Sequence, residues 1–309
     1  MKKRWKRLVV AAFPVGALVL FLSTFRASPL PPPAPLADAL PPASPPPEMA
    51  LFQLPTGATH RSAAFAYRGG SFFDKRDFAM TAVLVKHPRG DLLIDTGFGR
   101  DIDVHFRTLP WAFRAVTSYD RTQSVAEQLD AAGYDRGKLR GIVLTHAHWD
   151  HVSGLPELAG TPVLITPEEH RFVEGGGAIT ELARSFRGVT YEEYAFEGGP
   201  YLGFPRSHDV YGDGAIVIVP APGHTPGSVI VFLTLPAGKR YALVGDLVWQ
   251  REGITEREER PWIWRTVGDD DPGGVRENLL RMSAIATRFP AMTLVPAHEA
   301  RGFVDLPRL

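Results

Sequence analysis

Six consecutive residues, the run HAHWDH at 146–151, constrain this chain more than any other feature. They follow residues 139–145, an apolar run that predicts a buried strand. Histidines two apart in an extended loop point the same way, so His146 and His148 can reach one metal ion. Asp150 and His151 come where the chain turns, and they can face a second ion. Without metal, each buried side chain would need another polar partner. The alternative, a polar surface loop, does not suit the apolar strand leading into it.

Three further polar residues each follow a β-rich run: His224, Asp246 and His298. His224 stands in APGHTPGS, where two prolines and two glycines restrict the backbone. Asp246 could bridge two cations with its two oxygens, although taken alone it is more typical of a turn or a helix cap. His298 is a weak signal by itself. Because loops at strand ends are where a rigid sheet holds functional groups, these three and HAHWDH together predict a set of seven ligands.

The remaining patterns predict alternating strands and helices. A hairpin is expected from residues 82–86 and 92–95, around a turn that contains Gly90. The other predicted strands are residues 139–145, 163–165, 215–219, 229–233, 241–244 and 293–295. The predicted helices are residues 123–132, a helix that begins at Thr166-Pro167, and residues 275–286.

Composition narrows the chemistry and the partners. The chain has no cysteine, so neither disulfides nor thiolate ligands are available. Histidine and carboxylate ligands favour zinc, manganese or iron. Five of the 34 basic residues stand in the first seven positions, which leaves 29 basic against 34 acidic residues elsewhere. That balance argues against a nucleic-acid-binding surface.

The sequence predicts that the chain has three parts: residues 1–27, 28–49 and 50–309. The basic tip precedes an apolar run, residues 8–22, as in a signal or anchor segment. We expect an uncleaved anchor, with the domain exported to the periplasm and held at the inner membrane; the alternative is an ordinary buried segment. Residues 28–49 are rich in proline and predict an extended spacer without a core. Residues 50–309 form the predicted catalytic domain.

The motifs HAHWDH, PGHTPGS, VGD and PAH, in this order between about Ala82 and His298, resemble the metallo-β-lactamase superfamily. The stretch 125–173 is most similar to its acyl-homoserine lactonase and hydroxyacylglutathione hydrolase branches. The resemblance implies an α+β four-layer αββα sandwich, with metals at one edge of the two facing sheets. It implies that His146, His148 and His224 bind one metal, that Asp150, His151 and His298 bind the other, and that Asp246 bridges them. It also implies that Asp95 supports a ligand imidazole by hydrogen bonding.

The implied function is a metal-dependent hydrolase with two Zn²⁺, or Mn²⁺ or Fe²⁺, whose bridging hydroxide cleaves a small acyl compound: an ester, lactone or thioester. Asp150 or Asp246 could carry a proton to the leaving group. The alternatives are a β-lactam-hydrolysing enzyme, an iron-dependent redox enzyme on the same fold, and a non-catalytic, membrane-tethered binding module. Trp249 stands where the lactonases place a tyrosine, three residues after the bridging aspartate, so an oxyanion-stabilising phenol is not evident.

Two segments outside the motifs are candidates for substrate selection. The connection 102–119 is rich in aromatic residues and could form an apolar lip for an acyl chain, or its rings could simply pack on the sheet. Arg251, Arg257 and Arg265 could bind an anionic group, or they could form a solvated face.

Overall fold

A computed structural model describes residues 16, 18–115 and 117–309. Its strands form two sheets, ordered β4-β1-β2-β3-β5-β6-β7 and β12-β11-β10-β9-β8. The strands are β1 Ala50–Ser62, β2 Lys75–Lys86, β3 Asp91–Ile94, β4 Tyr119–Arg121, β5 Leu139–Val143, β6 Val163–Ile165, β7 Tyr191–Glu193, β8 His208–Asp209, β9 Ile216–Pro220, β10 Val229–Thr234, β11 Arg240–Gly245 and β12 Thr293–Pro296. The helices are α1 Ile102–Arg107, α2 Trp111–Ala115, α3 Val125–Ala131, α4 Trp149–Val152, α5 Pro167–Gly175, α6 Glu181–Ser185, α7 Glu252–Thr255, α8 Trp262–Gly268, α9 Pro272–Arg288 and α10 Ala300–Phe303.

The sheets are mixed. In the first, β1, β2 and β3 pair antiparallel, whereas β3, β5, β6 and β7 run parallel. In the second, β9, β10 and β11 pair antiparallel and β12 joins β11 in parallel. Parallel neighbours end at the same edge of a sheet. The loops after β5, β11 and β12 therefore leave the sheets where polar groups can meet.

Strand alternation divides the core into layers. In β3, Leu92 and Ile94 pack between the two sheets, and Leu93 packs on the outer face of the first sheet together with Leu129 of α3. On the far side, alternate residues of β9 to β11 face α9 through residues such as Leu279. A helix layer thus covers each sheet, and the predicted four-layer αββα sandwich is confirmed.

Two helices begin directly after capping residues, α3 two residues later than predicted and α5 at the predicted Thr166-Pro167. Ser124 and Glu127 form a reciprocal capping box before α3. Thr166 caps α5 by accepting a hydrogen bond from the backbone N–H of Glu169. Helix α9 starts three residues earlier than predicted because Asp271 accepts a hydrogen bond from the N–H of Gly273.

The N-terminal segments differ from expectation in one respect. The predicted anchor falls mostly on residues 1–15 and 17, which lie outside the described residues. Among the residues described, no helix is both long and apolar enough to cross a bilayer. The proline-rich residues 28–49 lie along the domain surface, where Leu30 N–H donates to the carbonyl of Arg257 at 2.8 Å and Leu36 packs on the outer core. The expectation of a spacer that carries no core is therefore wrong, because its leucines and backbone groups find partners.

Candidate metal centre

All seven predicted ligands are buried and meet at one edge of the sandwich. His146 and His148 lie in the loop after β5, Asp150 and His151 in α4, and His224 between β9 and β10. Asp246 and His298 directly follow β11 and β12. Three groups have ligand atoms within 4.8 Å of one another: His146, His148 and His224; His146, His151 and Asp246; Asp150, His151 and His298. The structure brings together every residue of the set, and their role as ligands stays a prediction.

The first group has donor atoms that the protein does not satisfy. The Nε2 atoms of His146, His148 and His224 are buried, and none makes a hydrogen bond among the described residues. The His224 ring lies 4.8 Å from His146 and 4.6 Å from His148, between centroids. Burial, with a smaller effect from the neighbouring imidazoles, lowers the pKa of His146 and His148 well below the usual value. Neutral imidazoles with converging lone pairs are what a divalent cation requires.

Asp246 lies between the two halves of the cluster. Its Oδ1 is 3.0 Å from His298 Nε2 and 3.3 Å from His151 Nε2, and its Oδ2 is 3.6 Å from His224 Nε2. Asp150 Oδ2 lies 3.5 Å from the same His298 Nε2. Burial would raise the pKa of Asp246, but His298 and His151 outweigh it and hold the pKa well below the usual value. A carboxylate that reaches both halves fits a bridging ligand.

Asp95 fixes His151 from behind. Its Oδ2 lies 2.8 Å from His151 Nδ1, and it accepts hydrogen bonds from the backbone N–H and the hydroxyl of Thr145 at 2.7 and 2.8 Å. Asp95 has a left-handed φ of 57°, which is costly for a non-glycine residue. Burial lowers the pKa of His151, but Asp95 and Asp246 outweigh it and the net shift is upward. The contact that the resemblance implied for Asp95 is present.

Sequence reasoning missed the residues that hold His224. Asp269 Oδ1 lies 2.9 Å from His224 Nδ1, and the Arg260 guanidinium donates to the same carboxylate. Arg260 also donates to the backbone carbonyl of Asp246 at 2.5 Å. Burial raises the pKa of Asp269, but Arg260 outweighs it and the net shift is downward. A signal existed in the acidic run 269–271, of which only Asp271 is needed as a helix cap.

Glu169 is a second residue that the sequence did not reveal as part of the site. Its carboxylate accepts hydrogen bonds from the N–H of Ala147 at 2.7 Å, the N–H of Gly227 at 3.0 Å and the hydroxyl of Thr225 at 2.6 Å. It therefore joins the HAHWDH loop to the loop that carries His224. Burial raises the pKa of Glu169 although these three donors oppose the shift. Sequence reasoning missed Glu169 because an acidic residue in the first turn of a helix is already accounted for by helix capping.

Trp249 fills the position of the lactonase tyrosine with a different donor. Its indole N–H donates to Asp246 Oδ2 at 2.9 Å, and its ring packs edge-on against Phe78. The hydrogen bond of this side chain is thus directed at the central carboxylate.

The aromatic connection lies beside the ligand helix. The rings of Phe106 and Phe113 lie 5.8 and 6.1 Å from the ring of Trp149, which belongs to HAHWDH. Trp111 on the same connection is 76% exposed. The three arginines raised as anion-binding candidates all have acceptors within the chain: Arg251 pairs with Glu299, Arg257 donates to the Leu30 carbonyl, and Arg265 pairs with Glu259.

The fold and the buried histidine and carboxylate cluster together define a metallo-hydrolase. Residues 77–298 match the Metallo-beta-lactamase superfamily, and the chain belongs to that superfamily. The resemblance noted in the sequence is confirmed.

Relatives and solved structures agree with this assignment. The chain is similar to the probable metallo-hydrolase Rv2300c of Mycobacterium tuberculosis, at 29% identity over 231 residues that cover 70% of this chain and 73% of that protein. It is 25% identical over 208 residues to the N-acyl homoserine lactonase AttM of Rhizobium radiobacter, which covers 60% of this chain and 70% of that protein. A structure of an N-acyl homoserine lactone hydrolase, solved with N-hexanoyl-L-homoserine at its catalytic metal center, superimposes with a TM-score of 0.63 at 15% identity, covering 84% of this chain and 96% of that one. At that identity the likeness shows the shared fold.

Proposed function

We propose that the protein is a hydrolase of small acyl compounds (esters, lactones or thioesters) that works with two divalent cations, zinc first among them. The observation that carries the proposal is the convergence of seven buried predicted ligands, four of which have buried Nε2 atoms without a hydrogen-bond partner among the described residues. These residues fit metal ions. His146, His148 and His224 would hold one cation and Asp150, His151 and His298 the other, with Asp246 shared between them.

The two carboxylates Asp150 and Asp246 have different roles in this proposal. When bound, such a pair of cations supplies an activated water near neutral pH and polarises the substrate carbonyl. Asp246 already accepts the N–H of Trp249 on Oδ2, which restricts its motion. Asp150 makes fewer such contacts, so we assign to it the transfer of a proton to the leaving group and to Asp246 a holding role. The sequence left open whether Asp150 or Asp246 carries the proton, and this proposal selects Asp150.

The substrate class draws support from two sources. Lactonases stand among the relatives, at modest identity. Phe106, Phe113 and Trp149 offer apolar surface beside the ligand helix, which suits an acyl chain. Because Trp249 replaces the lactonase tyrosine, esters and thioesters belong in the test together with lactones.

The experiment is a hydrolysis panel on the purified, zinc-loaded full chain: 4-nitrophenyl hexanoate, N-hexanoyl homoserine lactone, a hexanoyl thioester and a chromogenic β-lactam, with metal analysis in parallel. We expect turnover of at least one of the first three and about two zinc ions per chain. His148→Ala should abolish turnover and lower the zinc content, whereas His170→Ala, a surface change, should do neither.

Each alternative has its own outcome. Turnover of the β-lactam alone would select the antibiotic-degrading function. One iron per chain would favour the redox enzyme. Bound zinc without any turnover would favour a binding module. Parental turnover in His148→Ala would refute the ligand assignment.

The location is a separate proposal, and its support is the sequence of residues 1–27: a basic tip followed by an apolar run. We infer export to the periplasm with attachment to the inner membrane. Fractionation of cells that express the full chain tests this, and recovery in the cytoplasmic fraction would refute it.

A further inference from the structure

Arg61 is a half-buried arginine whose guanidinium packs on Phe113, a ring that contacts Trp149 of the ligand helix. Arg61 lies near the end of β1, which pairs with β2. In β2, the N–H of Ala79 donates to the His298 carbonyl, and the Ala79 carbonyl lies 3.0 Å from His298 Nδ1. Burial has the largest effect on the pKa of Arg61 and lowers it, while the charge of Asp150 opposes that shift. The guanidinium is therefore partly desolvated and electrostatically coupled to a predicted ligand.

The positive charge of Arg61 has no carboxylate partner among the residues that the structure describes. Its Nη2 donates to the Thr117 hydroxyl at 2.6 Å, and its Cζ lies 5.3 Å from the ring centroid of Phe113 and 5.9 Å from that of Trp264. A guanidinium carries five N–H donors, and a neutral hydroxyl with two ring faces satisfies only part of them. A half-buried charge in this state is stabilised by an anion.

A second donor beside Arg61 also lacks a partner. The indole Nε1 of Trp264 is buried and makes no hydrogen bond within the described part of the chain. Its ring contacts both Arg61 and Phe65, the latter with 6.1 Å between centroids. Donors of two neighbouring side chains, neither of which has a carboxylate partner among the described residues, match the oxygens of a carboxylate or phosphate.

Other arginines in this region were also candidates for binding an anion. Arg251, Arg257 and Arg265, which follow the bridging position in sequence, each have an acceptor in the chain. Arg61 differs from Arg251 and Arg265, which pair with carboxylates, and from Arg257 because its guanidinium packs against the ring that contacts the ligand helix. The ring of Phe113 links it to the ligand helix, since Phe113 contacts both Arg61 and Trp149.

We propose that Arg61, together with the Trp264 N–H and the Thr117 hydroxyl, binds an anionic group of the acyl substrate. The preferred substrates are then acyl compounds that carry a carboxylate or phosphate at the end remote from the bond that is cleaved. The aliphatic part would pass the rings of Phe113 and Trp149. Arg61 acts here as a specificity-determining residue. The inference rests on the proposed function and goes beyond it by naming a charge on the substrate.

The test compares four 4-nitrophenyl esters on the zinc-loaded full chain. They are the hexanoate, the monoester of adipate with a free carboxylate, its methyl-capped counterpart, and a 6-phosphohexanoate. We expect kcat/KM for at least one anionic ester to exceed that of the methyl-capped ester by roughly 10- to 100-fold, mainly through KM, as charge-assisted hydrogen bonds allow. The carboxylate and phosphate arms decide between the two anions.

Substitutions then assign the preference to Arg61. Arg61→Gln should bring the ratio of anionic to capped ester close to one, and Arg61→Lys should lower it less, because the charge remains without the planar fork. The matched control is Arg114→Gln, an exposed arginine on the adjacent helix α2, whose side chain donates to the Leu109 carbonyl and to no other group among the described residues. It should leave the ratio unchanged, which separates local binding from a general effect of charge.

The outcomes distinguish this inference from the proposed function. Equal kcat/KM for capped and free adipate esters in the parental chain, or an undiminished preference in Arg61→Gln, overturns the role of Arg61 while the hydrolase stands. If no ester, lactone or thioester is cleaved, the proposed function fails. The binding of adipate monoamide, measured by tryptophan fluorescence, then still tests the anion site. Affinity at least tenfold weaker in Arg61→Gln supports the anion site, and equal affinity overturns it.

Discussion

Glu169 holds the two ligand loops together, and its removal gives the sharpest test of how the centre is built. One oxygen accepts from the N–H of Ala147, between the first two predicted ligands. The other accepts from Gly227 N–H and the Thr225 hydroxyl, in the loop of His224. Glu169 is only 1% exposed, so water cannot replace these hydrogen bonds.

The magnitude follows from counting donors. Glu169→Gln keeps one acceptor oxygen, and whichever way the amide turns, at least one backbone N–H faces an NH₂ group. One buried donor without an acceptor costs about 1–3 kcal/mol. Glu169→Ala leaves the N–H groups of Ala147 and Gly227 unpaired and opens a cavity, while the Thr225 hydroxyl can still donate to Ser228 Oγ at 2.7 Å. Because such losses are not fully additive, we expect roughly 3–6 kcal/mol for that variant.

The assay is urea unfolding of the full chain with EDTA and again with zinc, since bound metal itself stabilises the folded state. Zinc affinity is measured by competition with a chromophoric chelator, and we expect Glu169→Gln to weaken it by about 10- to 100-fold, as for other groups that orient ligands. Glu168→Gln is the matched control, because the carboxylate of this exposed neighbour pairs with Arg171 at 3.1 Å and makes no other ion pair in the part of the chain that the structure describes. Parental stability and parental zinc affinity in Glu169→Gln would refute the reasoning.

Three further predictions concern other parts of the molecule. Removal of the metals with EDTA should lower the Tm by several degrees, reversibly on addition of zinc, because the unpaired ligand atoms lose their partner; an unchanged Tm would contradict this. Trp249→Phe should lower kcat/KM by roughly tenfold through loss of the hydrogen bond to Asp246, with parental kinetics as the contrary result. Hydrogen bonds to Asp77 and then Asp120 raise the pKa of His60, so its contribution to stability is complete below the unfolded pKa of ~6.5 and is lost as the pH rises through the folded pKa. Since His60 is 41% exposed, the loss between about pH 5.5 and 8.5 should stay below about 1 kcal/mol, and it should disappear in His60→Gln when unfolding free energies are compared across that range.

The ligand set could be predicted because local and global signals agree. HAHWDH follows the apolar strand β5, and Asp246 and His298 follow β11 and β12, which pair in parallel. Strands that run parallel deliver their following loops to one edge, which brings Asp246 and His298 together. That HAHWDH meets them depends also on how the two sheets face each other, since β5 belongs to the other sheet. Strand β1 and its long pairing with β2 were not predicted, since β1 contains polar residues and a bulge next to Gly57.

The proline-rich segment shows where composition misleads. Proline predicts extended backbone correctly, but it does not say whether that backbone stands free. Here Ser44 N–H donates to the carbonyl of Asp213 at 2.7 Å, and the carboxylate of Asp38 accepts from Gly203 N–H at 2.8 Å. Such contacts join residues about 165 positions apart, so no local pattern could reveal them.

The orientation of the ligands depends on residues that no motif contains. His151 is held at Nδ1 by Asp95, His224 by Asp269, and His298 by the carbonyl of Ala79, at 2.8, 2.9 and 3.0 Å. With each Nδ1 occupied, the Nε2 atoms are turned into the cluster before any cation arrives, and less ordering is required on binding. The motifs therefore supply ligand atoms, while the affinity and geometry of the centre depend on groups in β2, directly after β3 and directly after α8. Sequences that share the four motifs but lack these partners would fold alike and hold metal more weakly.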